Sequence, residues 1–212
     1  MARVVLLFLV LLLSLAAIQT TCAPAPGDER TATSVATGLP TSTILGSPEA
    51  TPAPTASPSL ALQLISDAFE HSGEIPSRHA LCPDRINLSP PLTWSRVPAG
   101  TESLALICVD TDVDFVHWVI FNIPPSATGL PEGLEGIGTL EGGMVQGTND
   151  YGELGYGGPC PPSGQTHTYI FTLYALDTAL DLPAGASAFS LRQAMEGHIL
   201  SQAEFAGSYA AG

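Results

Sequence analysis

The chain has 212 residues, 20 acids against six arginines, no lysine and a formal charge of -14. That balance excludes a nucleic-acid or broad anionic-lipid binder, because phosphates would be repelled. It equally serves as a plain solubility device.

The first segment is read as an export signal. Arg3 supplies a positive start, and Val4 to Ala17 (VVLLFLVLLLSLAA) is almost unbroken apolar sequence. A comfortable membrane span needs roughly 20 such residues, so this run fits the apolar region of a secretory signal instead. Ile18-Gln19-Thr20-Thr21-Cys22 follows. A cysteine at this place matches a bacterial lipoprotein, whose thiol receives lipid and becomes the new N-terminus. Gln19 and Thr21 stand where Leu and a small residue are usual. The alternative is ordinary cleavage after Ala16 or Ala17, with Cys22 left as a thiol. Residues 23–59 are rich in Ala, Pro, Thr, Ser and Gly and hold no aromatic residue. Such a stretch buries too little apolar surface to offset its ordering entropy, so it is expected to be a disordered tether. The expected location is therefore outside the cytoplasm, either lipid-anchored through Cys22 or secreted.

Residues 60–212 are expected to form one domain, long enough for a single well-filled core. It reads as mainly β. Ser103 to Val109 is a continuous apolar run, which predicts a strand buried on both faces. Val116 to Ile123 is β-branched and aromatic and is stopped by Pro124-Pro125. Tyr169 to Leu176 predicts a third core strand. A helix is predicted from about Ala188 to Leu200, capped by Ser187 or Ser190, with Phe189, Leu191, Ala194, Met195 and Ile199 as its apolar side. A short closing strand is predicted over Glu204 to Tyr209. Among the cysteines, Cys108 lies inside an apolar strand and is expected to be a buried free thiol. Cys82 and Cys160 both sit in Pro-rich turns and are the expected disulfide pair.

Polar residues with proton-transfer or binding chemistry gather beside these strands. Asp110 and Asp112 end the first one, and alternate strand positions share a face. His117 lies among apolar residues next to Trp118, where a lone histidine is usually just a satisfied core residue. His167 and Tyr169 begin the third strand and also share a face. Gly157 and Gly158 lie just upstream, and their backbone N–H groups are expected to form an anion nest. Together these residues predict one small polar pocket for a phosphoryl or carboxylate group. If the imidazoles bind the anion as cations, affinity falls as pH rises through about 6.5. No HExxH or CxxC pair marks a metal site, and no cofactor motif is present. No GxSxG turn marks a hydrolase, and Cys160 between prolines is a poor nucleophile candidate, which leaves an enzyme as the third reading.

Several short pieces then line up in order: Ile75-Pro76-Ser77-Arg78-His79, Ser89-Pro90-Pro91-Leu92-Thr93-Trp94, Val97-Pro98-Ala99-Gly100-Thr101, Asp110-Thr111-Asp112, His117-Trp118 with Asn122-Ile123-Pro124, Asn149-Asp150-Tyr151-Gly152, Gly155-Tyr156-Gly157-Gly158-Pro159-Cys160-Pro161-Pro162, His167-Thr168-Tyr169 and Gly197-His198-Ile199-Leu200. On these pieces the chain from about Leu64 to Tyr209 resembles the phosphatidylethanolamine-binding protein family, especially its bacterial Raf kinase inhibitor-like members. The resemblance implies two antiparallel β-sheets with a few peripheral helices. It also implies an anion pocket made by Asp110, Asp112, His117, Gly157, Gly158, Pro159, His167 and Tyr169. Implied roles are binding of phospholipid headgroups or, as the runner-up, inhibition of a protease or kinase partner, rather than catalysis. Two departures stand out. Asp110-Thr111-Asp112-Val113-Asp114 replaces the family's Asp-Pro-Asp-Ala-Pro, and Thr168 stands where the family usually has Arg. Both make the expected pocket rim less positive.

Overall fold

The computed structural model describes residues 61–211. The proposed export segment, Cys22 and the tether lie outside the described residues. The elements are β1 (Gln63–Ile65), β2 (Gly73–Glu74), β3 (Leu92–Ser95), β4 (Ser103–Asp110), β5 (Phe115–Ile123), β6 (Gly129–Leu130), β7 (Val145–Gln146), β8 (Thr166–Leu176), α1 (Ala188–Met195) and β9 (Ile199–Ala210). They build a six-stranded sheet in the order β2-β9-β8-β4-β5-β7 and a three-stranded sheet in the order β1-β3-β6. All pairings are antiparallel except the short β2–β9 pair at the edge of the larger sheet. The mainly β architecture with two sheets thus matches the expectation.

The apolar run of β4 puts it inside the larger sheet, between β8 and β5, where both of its faces are covered. One face packs Leu104, Leu106 and Cys108 with Trp118, Phe171 and Leu173 against Leu64, Leu92, Trp94 and Leu130 of the smaller sheet. The other face packs Ala105 and Ile107 with Val119 and Phe121 against Leu180 and against Ala188, Leu191 and Met195 of α1. Cys108 is buried and free, and burial pushes its thiol pKa well up, so it is an inert core side chain.

The C-terminal region differs from the sequence expectation in three respects. The helix stops at Met195 rather than reaching Leu200, because Gly197 takes a positive φ and turns the chain. Ser187 is its cap, accepting from Ser190 N at 3.2 Å. Its buried side is Ala188, Leu191 and Met195, while Phe189 is 68% exposed, since a residue next to Ala188 points about 100° away around the helix. Ile199 belongs to β9 instead. That strand runs to 12 residues because it pairs with β8 along its whole length.

Two irregularities in β5 position the site. Cys108 pairs with Trp118 and Val109 with Val116, so His117 is an extra residue on β5. The consequence is visible in the packing. Val116 joins the α1 side of the sheet and Trp118 the opposite side, although two residues apart they would ordinarily share a face. Such a bulge re-aims the side chain it carries. The second register shift lies between Leu104 and Leu106 opposite Ile120–Ile123, where Asn122 takes a positive φ. There the Asn122 amide donates to Leu180 O and accepts from Leu180 N, fixing the segment that leads to α1.

Candidate functional site

The strand ends converge on one cavity of about 190 Å³, lined by Asp110, Val113, Phe115, His117, Tyr151, Cys160, Pro161, Pro162, His167 and Tyr169. Asp110, His117, His167 and Tyr169 come from three adjacent strands, and Tyr151 comes from a turn. Asp110 ends β4 and stands opposite Tyr169 on β8 in the register of the pair. His167 lies two residues before Tyr169 and so shares its face. His117 arrives from β5 through the bulge. Of the residues singled out from sequence, Asp110, His117, His167 and Tyr169 are therefore brought together.

Each polar group has a defined role. His167 Nδ1 donates to Asp110 Oδ2 at 2.7 Å, and its Nε2 meets the Gln165 side-chain oxygen at 3.1 Å. The other Asp110 oxygen accepts from Asp112 N at 3.0 Å. His117 Nδ1 donates to the carbonyl of Gly157 at 2.5 Å, which fixes the proton on that nitrogen. In the neutral ring Nε2 is then an acceptor. Burial lowers the His117 pKa, opposed by the Gly157 carbonyl and by the charges of Asp110 and Asp150. Without a ligand the ring is thus uncharged near neutrality. The Tyr169 hydroxyl is buried and makes no close hydrogen bond, but it faces the Asp110 carboxylate as its acceptor. Burial and the neighbouring Asp110 carboxylate raise its pKa, so it stays protonated and remains a donor. The His117 ring also stacks edge-on against Tyr169 and Tyr151, with centroids 5.0 and 5.6 Å apart.

The glycine turn does something other than expected. Gly157 N donates to His117 O at 2.8 Å, and Gly158 N donates to Asn87 Oδ1 at 2.6 Å. Neither N–H is free, so the described structure holds no anion nest here. The turn is a scaffold that locks the His117 backbone and ring from one side. Glycine is needed for close approach. A Cβ on Gly158 would lie 2.3 Å from His79 O, and one on Gly157 would lie 2.5 Å from the Tyr151 ring. Pro159 O accepts from Leu81 N at 2.9 Å and serves the same framework. Asp112 does not line the cavity; its Oδ2 accepts from Thr168 N at 2.7 Å and ties the turn after β4 to β8.

Cys82 and Cys160 are joined in a disulfide, with Cα atoms 5.0 Å apart. It fastens the cavity wall Cys160-Pro161-Pro162 to the loop around Pro83. Sequence reasoning missed Phe115, Tyr151 and the two wall prolines as cavity residues, as well as Val113 and Gln165. Tyr151 had a usable signal in Asn149-Asp150-Tyr151-Gly152. The Asn149 side chain accepts from Tyr151 N and Glu153 N, and Gly152 takes a positive φ, so the turn projects Tyr151 toward His117. Its hydroxyl donates to Gly158 O at 3.2 Å.

Comparisons with known proteins agree with this architecture. The sequence profile of the family described as "Phosphatidylethanolamine-binding protein" matches residues 65–210. A UPF0098 protein of Methanothermobacter thermautotrophicus is 53% identical over 154 residues, covering 71% of this chain and 100% of that one. A UPF0098 protein of Chlamydia muridarum is 39% identical over 156 residues, covering 70% and 98%. Among solved structures, the phosphatidylethanolamine-binding protein homolog CT736 of Chlamydia trachomatis superposes with a TM-score of 0.63 at 38% identity, covering 72% of this chain and 99% of that one. E. coli YbcL superposes with a TM-score of 0.65 at 32% identity, covering 71% and 99%. With the profile spanning well over half its length, the chain belongs to the phosphatidylethanolamine-binding protein family.

Proposed function

We propose that the domain is a binding module for a small anionic group, phosphoryl or carboxylate, such as a lipid headgroup carries, and that it acts by binding rather than by turnover. One observation carries the reading. The Tyr169 hydroxyl is a buried donor without a close hydrogen-bond partner, set beside the Asp110 carboxylate in a cavity that His117 also lines. A buried polar group left unsatisfied costs about 1–3 kcal/mol, so a site of this kind gains by receiving a ligand oxygen. The cavity is smaller than the roughly 300–1,000 Å³ typical of drug-sized ligands, which fits a headgroup fragment.

Calorimetry with phosphorylethanolamine and with acetate tests the reading. Tyr169→Phe removes one hydrogen bond to a charged ligand, worth about 1.5–3 kcal/mol, so affinity should fall by at least about tenfold. His117→Ala should weaken phosphorylethanolamine but not acetate, because the Nε2 lone pair accepts from a protonated phosphoryl oxygen and not from a carboxylate ion. If the wild-type protein binds neither compound, the reading fails, and the rim with exposed Val113 becomes the better candidate as a contact for a protease or kinase partner. The proposal includes export and tethering through Cys22. Mass spectrometry of the exported protein should find a diacylglyceryl group on Cys22, and Cys22→Ser should release the protein from membranes. An unmodified N-terminus near Ala17 would leave simple secretion.

A further inference from the structure

We propose that a groove on the connection between β6 and β7 docks a partner protein through a basic, apolar segment, in which aliphatic side chains are flanked by arginine or lysine. This connection leaves the edge of the smaller sheet and enters the edge of the larger one. Pro131, Leu134, Ile137, Leu140 and Met144 line the groove, around a volume of about 360 Å³. None of the five lines the cavity at the ends of β4, β5 and β8, so the surface is separate from the anion site proposed above.

The groove is held open by its backbone. Leu134, Leu140 and Met144 are half-buried and pack inward against the core between the two sheets. Ile137 stands outward and is 46% exposed. Fully buried Gln146 donates from Nε2 to the carbonyl of Glu135 at 2.5 Å and to that of Ile137 at 3.0 Å. The glycines on either side are pressed against their surroundings. A Cβ on Gly136 would lie 2.8 Å from Leu154 O, and one on Gly138 would lie 2.8 Å from the Ala184 Cβ. Leu134 N donates to Ser89 Oγ at 2.9 Å, and Leu140 N to Met144 O at 2.8 Å. Turning Ile137 inward would break these bonds, so its apolar surface is covered only by another molecule. A lone exposed isoleucine needs no explanation, but one fixed beside a concave apolar floor marks a contact surface. Because the loop is already fixed, little ordering entropy opposes docking.

Charge identifies the occupant. Glu132, Glu135 and Glu141 border the groove, and no arginine does. Glu132 already holds Arg78 Nε at 2.8 Å, so this rim binds a guanidinium group within the chain itself. Glu135 and Glu141 are exposed and, among the described residues, form no ion pair. Exposed ion pairs add little affinity each, but they select the sign of a partner and speed its arrival. Affinity comes from burying the aliphatic side chains. The same rim turns other occupants away. A second copy of the chain would bring a formal charge of -14, and an anionic membrane would bring phosphates. Among the described residues no group of acidic, histidine or cysteine side chains is placed to hold a metal ion, so these glutamates do not form a metal site.

The test uses the full chain and three dye-labelled peptides. They are Arg-Arg-Leu-Leu-Arg-Arg, the same peptide with Glu for every Arg, and the same peptide with Ser for both Leu. Fluorescence anisotropy gives the affinities, and hydrogen exchange read by mass spectrometry locates the footprint. The first peptide should bind at least about tenfold more tightly than either of the others and protect residues 131–144. Ile137→Ser should weaken it by at least about tenfold, the worth of one aliphatic side chain removed from water. That side chain is exposed in the free protein, so the variant should unfold at the wild-type urea concentration. Glu135→Gln combined with Glu141→Gln should narrow the preference for Arg over Glu flanks. Binding of none of the three peptides would overturn the proposal, as would equal binding of the Ser or the Glu peptide, or a footprint at His117 and Tyr169 instead. Protection of residues 131–144 by phosphatidylglycerol vesicles, or by raising the protein concentration alone, would overturn it in favour of a membrane or a second copy.

Discussion

Replacing Gly158 by alanine separates two accounts of the glycine turn. If the turn existed to present backbone N–H groups to a ligand, an added methyl would chiefly harm binding. In the structure its cost is in folding. The new Cβ would lie 2.3 Å from His79 O, 2.9 Å from Leu81 N and 2.9 Å from Asn87 Oδ1. Ordinary carbon contacts begin near 3.4 Å, so the backbone of the Ser77–His79 turn would have to retreat by about 1 Å. That backbone is itself anchored. His79 O accepts from the Tyr156 hydroxyl at 2.8 Å, and Leu81 N donates to Pro159 O at 2.9 Å. Overpacking against a part that cannot yield costs about 1–3 kcal/mol, and two of these atoms are backbone, so the upper end applies. For a domain of about 150 residues, about 3 kcal/mol lowers Tm by roughly 6–12 °C. Urea unfolding followed by tryptophan fluorescence measures the difference directly, with Gly157→Ala as the comparison. There the added methyl meets the Tyr151 ring, which is 38% exposed and can swing aside, at the loss of its bond to Gly158 O. Gly157→Ala should cost about 1 kcal/mol and disturb binding more than stability. A Gly158→Ala loss below about 1 kcal/mol, or the reverse order of the two variants, would refute the wedge argument.

Three other outcomes follow from the structure. The Cys82–Cys160 bond closes a separation of 78 residues, for which the chain-entropy model gives about 4.5 kcal/mol; the doubly substituted Cys82→Ala/Cys160→Ala protein should unfold at correspondingly lower urea, and an unchanged midpoint would contradict this. His79 and His117 both have pKa values lowered chiefly by burial, so the unfolded chain binds more protons than the fold below about pH 6.5. Their contribution is complete above that pH and is lost as pH falls toward the folded values; NMR titration of the two rings checks it, and a midpoint above 6.5 for either would be inconsistent. Gln146 is fully buried, accepts from Trp118 Nε1 at 3.0 Å and donates to the carbonyls of Glu135 and Ile137, so Gln146→Leu should cost about 3 kcal/mol in urea unfolding by leaving these partners unmatched.

The three core strands were legible because their signal is local, whereas β2, β7 and the whole smaller sheet of β1, β3 and β6, each two to four residues long, were not. β4 reads as a strand from its apolar run, β5 from its β-branched and aromatic residues, and β8 from Tyr169 onward. The helix end and the length of β9 were not legible, because each depends on a partner. β9 extends back to Ile199 only because β8 offers a ladder there. The same division holds at the site. His167 and Tyr169 share a face by simple alternation, so their convergence could be read directly. His117 reaches the cavity through a bulge, and no alternation rule predicts which residue of Val116-His117-Trp118 is the extra one. The glycine N–H groups were assigned to a ligand on residue type alone. Their true partners, His117 O and Asn87 Oδ1, come from 40 and 71 residues away, beyond any local pattern.

The placement of the site on a sheet also bounds how tightly it should hold a ligand. Asp110, His117, His167 and Tyr169 stand on three hydrogen-bonded strands, so their positions are set by backbone ladders before anything binds. Little ordering entropy then opposes association. Against this, the cavity offers few contacts and no guanidinium or ammonium group. On the proposed reading, the Tyr169 hydroxyl and His117 Nε2 would give two hydrogen bonds to a protonated phosphoryl group, together worth about 3–6 kcal/mol. That corresponds to a dissociation constant from a few millimolar to tens of micromolar for an isolated phosphoryl fragment, to order of magnitude. A free solute at trace concentration would leave such a site empty. A ligand displayed at high local density would fill it, and so would a larger molecule that adds contacts over Val113 and Phe115 at the mouth. Residues 23–59, if they hold the domain close to a membrane through Cys22, would supply the first condition by raising the effective concentration of headgroups. If Cys22 carries the proposed lipid, Cys22→Ser should leave the affinity for phosphorylethanolamine in solution unchanged while removing most of the occupancy on vesicles that display phosphorylated headgroups.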